Sequence, residues 1–163
     1  MGIAPTPNSP SSTYYVVLAR RVGLPAEGRF LKQFAYGNES TASGLDGTEG
    51  PFWLDGTLRI SADEQVEFLR RFHENQLGLS RRTTTLTKDI MLADSTPRWR
   101  LSAKTGACRP AGEDATMWYV GYVERDGNVY YFALQLGGQE FGTLFEQRVT
   151  RAKAILAQLG ILD

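Results

Sequence analysis

A short turn between two strand-like segments constrains the fold of this chain more than any other feature. Residues 117–124 and 129–136 are rich in valine, tyrosine, phenylalanine and leucine, and they flank Arg125-Asp126-Gly127-Asn128. Asp-Gly between such runs predicts a β-hairpin, because aspartate and glycine tolerate the positive φ that a tight turn needs. Trp99–Cys108 predicts a further strand directly before the hairpin. We therefore expect three consecutive antiparallel strands.

Helices are predicted on both sides of these strands. Residues 14–22 end in two arginines before Gly23, which is a helix C-terminal signal, and Pro25 then opens a second helix. Further helices are predicted over residues 80–92 and, at the end of the chain, over residues 144–159. Helices segregated around consecutive antiparallel strands predict an α+β domain.

A capping box predicts the start of one more helix. Ser61-Ala-Asp-Glu64 places a serine hydroxyl to accept from an early backbone N–H, while the glutamate reaches back to the serine N–H. We expect this helix to bury Val66, Leu69 and Phe72 and to end at Gly78.

Composition narrows the classes of function. The 163 residues carry 18 basic and 18 acidic groups, so the zero net charge gives no electrostatic argument for nucleic acid or an anionic membrane surface. The single cysteine, Cys108, excludes an intrachain disulfide and a paired-cysteine metal site, and we interpret it as a structural thiol. No metal or cofactor is expected. The only histidine, His73, is predicted to lie on a solvated helix face.

The start of the chain differs in composition from the rest. Residues 1–12 hold three prolines and three serines and are predicted to be a disordered lead-in, followed by one domain over residues 13–163. The lead-in has neither a basic nor an apolar region of the kind that a signal peptide needs, so no signal peptide is expected here.

Three short motifs are candidates for binding chemistry. In Lys104-Thr105-Gly106, the lysine and the hydroxyl offer charge and hydrogen bonds to a ligand carboxylate, and the glycine permits close approach. The alternative is a strand lysine before a turn. Tyr36-Gly37-Asn38 follows a helix and also reads as a helix C-cap. Phe52-Trp53-Leu54-Asp55-Gly56 also reads as a buried aromatic anchor for a long loop.

The order and spacing of the motifs are more specific than any one of them. They are Leu18-Ala-Arg-Arg-Val-Gly23, Tyr36-Gly37-Asn38, Ser43-Gly44, Phe52-Trp53-Leu54-Asp55-Gly56, Leu58-Arg-Ile-Ser61, Glu64-Gln65-Val-Glu67-Phe68-Leu69, Asp89-Ile-Met-Leu92, Lys104-Thr105-Gly106, Trp118-Tyr-Val-Gly-Tyr-Val-Glu124 and Tyr131-Phe-Ala133. With this order, residues 14–163 resemble class D (oxacillinase-type) β-lactamases and the penicillin-sensor domains that share their fold. The resemblance implies a partial serine β-lactamase/transpeptidase-like fold, with a three-stranded remnant of the sheet and flanking helices.

The resemblance also implies roles for particular residues on the strand side of a pocket. Lys104 and Thr105, with Gly106 after them, would face the carboxylate of a β-lactam. The backbone N–H of Ala107 would be one of two oxyanion-hole donors, which stabilise charge on the attacked carbonyl. Arg148, twelve residues before Gly160, has the offset of the carboxylate-binding arginine of class D enzymes. The alternative for Arg148 is an ordinary arginine on a helix surface.

On the opposite side of the pocket, the resemblance implies that Trp53 supplies the indole N–H that holds a carboxylated lysine in the family. Tyr36, Gly37 and Asn38 would lie at the base of the pocket. The expected ligands are a β-lactam or a peptidoglycan-like peptide.

The nucleophile motif of the family, Ser-x-x-Lys, does not occur in the 163 residues. Ser102 precedes Lys104 by two residues instead of three, and Thr85-Leu-Thr-Lys88 is a threonine version that we interpret as a polar helix segment. The second serine motif, Ser-x-Val, is expected before Tyr14, where the chain reads Ser11-Ser12-Thr13. We therefore expect a truncated chain that does not turn over substrate by itself.

Two alternatives stay open. One is a non-catalytic β-lactam-binding or sensor module, and the other is a half that a partner chain complements. The family is periplasmic or extracytoplasmic, and its N-terminal region contributes further strands to the sheet. Residues 129–136 would then lose a neighbour and expose an edge, through which we expect self-association.

Overall fold

The computed structural model describes residues 10–162, with an all-antiparallel sheet between helical layers. Its elements are α1 (Pro10–Val22), α2 (Leu24–Phe34), α3 (Ala62–His73), α4 (Arg81–Met91), β1 (Leu92–Ser95), β2 (Trp99–Cys108), β3 (Ala115–Arg125), β4 (Asn128–Gly138) and α5 (Phe141–Gln158). The predicted α+β class and the order of helices, strands and helix are confirmed.

The sheet follows the chain, with strand order β1-β2-β3-β4. Its hairpin turn forms as predicted, since Asp126 and Gly127 both have positive φ, at 52° and 77°, between the paired residues Arg125 and Asn128. The predicted count of three strands is wrong, because β1 adds a fourth. Its four residues are exposed or half-buried, and a register shift between Leu92 and Asp94 interrupts its pairing with β2. Pairing with β2, more than local propensity, makes this segment a strand.

Each face of the sheet has its own core. On one face α5 packs Ala152 and Leu156 against Leu101, Tyr119 and Val123 of the sheet. On the other face β3 meets α2, α3 and the segment between them in a larger cluster. The buried members of that cluster are Leu31, Phe34, Tyr36, Phe52, Phe68, Leu69, Phe72, Leu77, Trp118 and Val120.

Helix α3 begins where predicted and ends earlier. Glu64 N donates to Ser61 Oγ at 3.2 Å and Ser61 N donates to Glu64 Oε2 at 2.8 Å, which completes the capping box. The prediction that Gly78 ends the helix is wrong. Asn75 takes the left-handed conformation first, at φ 60°, as asparagine sometimes does in place of glycine. Val66, predicted to be buried, is half-buried.

Two other sequence predictions concern single segments. Helix α1 includes residues 10–12 of the predicted lead-in, and residues 1–9 lie outside the described part of the chain. The prediction of a solvated His73 is wrong. Its side chain is 17% exposed, its ring lies edge-on to Tyr122, and its Nδ1 lies 3.2 Å from the Tyr131 hydroxyl. The last residue of α3 thus docks on β3 and β4.

Candidate functional site

The outer edge of β2 is open along the Lys104-Thr105-Gly106 motif. Strand β1 pairs with β2 only as far as Ser102, and among residues 10–162 no other strand pairs with that edge. Lys104 and Thr105 are half-buried, whereas Gly106 and Ala107 are buried. An unpaired strand edge presents backbone donors and acceptors, so a ligand can approach the backbone here.

Lys104 carries a positive charge in a partly dry environment. Its Nζ donates to the Thr105 carbonyl oxygen at 3.0 Å and lies 3.5 Å from Thr105 Oγ1. Burial lowers the pKa of Lys104, and the charge of Arg148 lowers it further. Strand β2 and helix α5 therefore place these two cations within electrostatic reach of each other.

Arg148 is a buried cation on α5, with 7% of its surface exposed. That burial argues against the alternative of an ordinary surface arginine, and it lowers the pKa of the guanidinium. The guanidinium carbon lies 3.5 Å from the ring centroid of Phe145, whose carbonyl oxygen accepts from Nη1. Nε is buried and has no hydrogen-bond partner among the described residues.

The two cations both lack a carboxylate partner among the described residues. Within the described residues, neither Lys104 nor Arg148 forms an ion pair with a carboxylate, although six other lysine and arginine side chains do. Buried or half-buried charges are costly without a partner of opposite sign. The arrangement therefore fits an anionic ligand.

A cavity of about 290 Å³ adjoins the far end of β2. Three predicted residues, Tyr36, Trp53 and Ala107, line it. The Tyr36 hydroxyl donates to Gln65 Oε1 at 2.7 Å, and burial raises the pKa of Tyr36 to about 12 despite that bond. Tyr36 therefore forms a neutral, hydrogen-bonded part of the cavity wall at physiological pH.

Gly37 and Asn38 lie behind the cavity wall and do not line it. Asn38 Nδ2 donates to the Thr57 carbonyl oxygen at 2.9 Å, and Asn38 Oδ1 accepts from Arg59 N at 3.0 Å. Gly37 has φ 55°, and a Cβ there would overlap the Arg59 carbonyl oxygen. Both residues fix the segment that supplies Leu58, Arg59 and Ile60 to the wall.

The sequence did not indicate other parts of the cavity. Arg59 Nη2 and Glu113 Oε1 form an ion pair at 2.8 Å across 54 residues of chain. Cys108 also lines the cavity, and its thiol pKa is raised, first by burial and then by Glu113. Only the fold brings these groups together, since no local pattern links them. A raised pKa makes Cys108 a poor nucleophile, in keeping with its interpretation as a structural thiol.

The near-match to the nucleophile motif lies elsewhere, in α4. Thr85 is exposed there, and Lys88 Nζ donates to the His73 carbonyl oxygen at 2.7 Å. This lysine ties α4 to the end of α3. Among the described residues there is no group of three His, Cys, Asp or Glu side chains that could hold a metal ion.

The fold and this edge together define a class. An antiparallel sheet between helical layers, with a Lys-Thr-Gly strand at an open edge, agrees with the serine β-lactamase/transpeptidase-like fold that the resemblance implies. Residues 8–157 match the penicillin binding protein transpeptidase domain family, and the chain belongs to that family.

Relatives place the chain near the class D branch. It is 38% identical over 122 residues to β-lactamase OXA-48 of Klebsiella pneumoniae, covering 75% of this chain and 44% of that protein. The crystal structure of the class D β-lactamase YbXI from Nostoc aligns with a TM-score of 0.81 at 36% identity, covering 92% of this chain and 61% of that one.

The C-terminal domain of the Bacillus licheniformis BlaR penicillin-receptor aligns with a TM-score of 0.80 at 32% identity, covering 93% of this chain and 59% of that one. The resemblance to class D β-lactamases and sensor domains is thus confirmed. The chain spans less than half the length of the OXA-48 β-lactamase that it matches.

Proposed function

We propose that this class D β-lactamase-like domain recognises the carboxylate of a β-lactam through Lys104, Thr105 and Arg148. The observation that carries the proposal is the pair of cations without carboxylate partners beside the open edge of β2. A carboxylate accepts hydrogen bonds from both an ammonium and a guanidinium, and such charge-assisted bonds are the strong ones. Gly106 has no side chain, which lets a ligand approach the strand closely.

The other residues take supporting roles in this proposal. The N–H of Ala107 is the oxyanion donor, because Ala107 lies on the open edge and at the cavity wall. Trp53 and Tyr36 line the adjoining cavity, and Gly37 and Asn38 hold its wall in place.

Covalent chemistry is a separate step. In the family, a serine attacks the β-lactam carbonyl and the acyl-enzyme is then hydrolysed, which needs a serine and a lysine on consecutive helical turns. The 163 residues contain no such motif. The activity that we propose for this chain by itself is therefore non-covalent binding, and hydrolysis is proposed only for a protein that supplies the serine segment, in the same or a partner chain.

A sensor or binding module is the second candidate. The similarity to the C-terminal domain of the BlaR penicillin-receptor favours it. In that case a peptidoglycan-like peptide with a free C-terminal carboxylate is a further proposed ligand. Either role suits an extracytoplasmic location, and within residues 10–162 no helix is long and apolar enough to cross a membrane.

Isothermal titration calorimetry with benzylpenicillin tests the recognition step. We expect saturable binding that Lys104→Ala and Arg148→Ala each weaken. Arg151→Ala, three residues further along α5 at an exposed position, is the matched control and should bind like the unmodified chain. If titration with benzylpenicillin gives neither heat nor changes in the NMR chemical shifts of the chain, the proposal is wrong.

Two further measurements separate the candidates. A chromogenic cephalosporin assay should show no hydrolysis, and intact mass spectrometry should show no acyl adduct after incubation with the penicillin. An adduct would mean that the chain holds a nucleophile that we have not recognised. Competition by a peptide ending in D-alanyl-D-alanine would favour the sensor role, because a peptide ligand then shares the site.

A further inference from the structure

The loop between β2 and β3 is tied to the segment that forms the opposite wall of the cavity. This loop contains a tight turn, in which Glu113 N donates to the Pro110 carbonyl oxygen at 3.1 Å and Gly112 has φ 73°. Glu113 Oε1 then accepts from Arg59 Nη2 at 2.8 Å. Pro110 packs on Gly56, where an added Cβ would lie 3.1 Å from Pro110 Cγ. Two segments that are 54 residues apart thus meet at this ion pair.

The ion pair lies where the cavity opens to solvent. Both side chains line the cavity, although 65% of the Arg59 side chain and 51% of the Glu113 side chain are exposed. A second bond, from Arg59 Nε to the Gly56 carbonyl oxygen at 2.8 Å, holds the guanidinium in place. Burial raises the pKa of the Cys108 thiol, Glu113 raises it further and Arg59 lowers it, so both charges act inside the cavity. Exposed ion pairs contribute little to folding stability, so the charge can be changed here without unfolding the chain.

Strand β2 sets the direction of a bound β-lactam. In the proposed binding mode the ligand carboxylate lies at Lys104 and Thr105, and the lactam carbonyl lies at the N–H of Ala107. The acylamino side chain of a penicillin leaves the bicyclic core on the side away from the carboxylate, so it points beyond Ala107. Strand β2 ends one residue later at Cys108, which lines the cavity together with Glu113. The acyl group therefore enters the cavity next to the ion pair.

We infer that Glu113 and Arg59 set the specificity of the site for the charge of the acyl side chain and disfavour an anionic one, an inference that rests on the proposed function. Glu113 keeps the guanidinium of Arg59 occupied and repels a second carboxylate. Without the charge of Glu113, Arg59 is a cation at the mouth of the cavity and can bind a carboxylate of the ligand. The charge at position 113 thus decides whether this end of the site disfavours or favours a negative group.

Two penicillins that differ by one charge test this inference. Carbenicillin is benzylpenicillin with an additional carboxylate on the benzylic carbon, and titration calorimetry gives the Kd of each. We expect the unmodified chain to bind carbenicillin more weakly than benzylpenicillin. Glu113→Gln should lower the ratio of the carbenicillin Kd to the benzylpenicillin Kd roughly threefold to tenfold, because it removes a repulsion and frees the guanidinium. Arg59→Gln/Glu113→Gln should lose most of that gain, since the receiving cation is gone.

The matched control is Asp114→Asn, which removes the same charge from the neighbouring exposed residue and should leave the ratio unchanged. Circular dichroism checks that the three variants fold. The inference is wrong if benzylpenicillin binds but Glu113→Gln leaves the ratio unchanged, if Asp114→Asn lowers it equally, or if the double variant keeps the full gain. Failure of benzylpenicillin to bind the unmodified chain would instead overturn the proposed function, and this inference with it.

Discussion

Replacing Gly37 by alanine has two energetic costs, one from the left-handed backbone conformation and one from steric overlap of the added Cβ. Gly37 and Gly44 have φ of 55° and 78°. Alanine in this left-handed conformation destabilises the fold by about 1–2 kcal/mol at either position. Around Gly44 nothing lies within 4 Å of the added Cβ. At Gly37 the Cβ would overlap the Arg59 carbonyl oxygen and lie 2.9 Å from the Arg59 carbonyl carbon and 3.0 Å from Ile60 Cβ.

Relieving that overlap moves the Arg59 carbonyl, which accepts from Asn38 N at 2.9 Å. Losing this bond costs about 1 kcal/mol more. We expect Gly37→Ala to lose about 2–3 kcal/mol in the free energy of unfolding, and Gly44→Ala about 1–2 kcal/mol. Urea denaturation followed by tryptophan fluorescence measures both, since Trp53 and Trp118 line the cavity beside this wall. Equal losses in the two variants would refute the claim that contact with Arg59 fixes the wall.

Three other predictions follow from the same contacts. Ser61→Ala should lower the urea midpoint at neutral pH. Bonds to Ser61 lower the pKa of Glu64, so the difference in urea midpoint between Ser61→Ala and the unmodified chain should become smaller as acid protonates Glu64. A difference that does not change with pH would contradict this. Tyr36→Phe leaves the buried Gln65 Oε1 without its donor and should cost about 1–3 kcal/mol by denaturation, whereas Tyr36→Phe/Gln65→Leu should recover part of that loss. Cys108 should react with iodoacetamide more slowly than free cysteine, because burial and then Glu113 raise the pKa of its thiol. Glu113→Gln should speed the reaction. A slower reaction of this variant would show that Glu113 does not act on the thiol.

Local chemistry allowed most of the elements to be predicted. The Ser61 cap and the Asp126-Gly127 turn involve residues close in sequence, so their spacing carries the information. Strand β1 was missed because its four residues, Leu-Ala-Asp-Ser, have little strand propensity and pair only because the edge of β2 is there. The end of α3 was placed too late because asparagine, like glycine, can take the left-handed position.

The features of the candidate site also separate into those that are local in sequence and those that depend on the fold. The Lys104-Thr105-Gly106 motif and the offset of Arg148 are sequence features, and the binding roles that the resemblance implies for them stay predictions. Burial of Arg148 and the ion pair between Arg59 and Glu113 depend on segments far apart in the chain. His73 shows the limit most clearly. Its position beside Phe72 suggested a solvated face, but Tyr122 and Tyr131 come from two strands to enclose it.

A last prediction joins stability to recognition at Lys104. Its folded pKa is lowered, so the charged form destabilises the fold at all pH values below that folded pKa, and the penalty disappears as pH rises through it toward the ordinary lysine value. A carboxylate bound between Lys104 and Arg148 would offset the penalty, and a ligand that binds only the folded state raises the melting temperature. Lys104→Met keeps much of the side-chain volume without the charge. We therefore expect this variant to melt at or above the temperature of the unmodified chain without ligand, and to lose the upward shift that benzylpenicillin gives. A variant that melts lower but keeps the full shift would show that Lys104 stabilises the fold and does not bind the carboxylate.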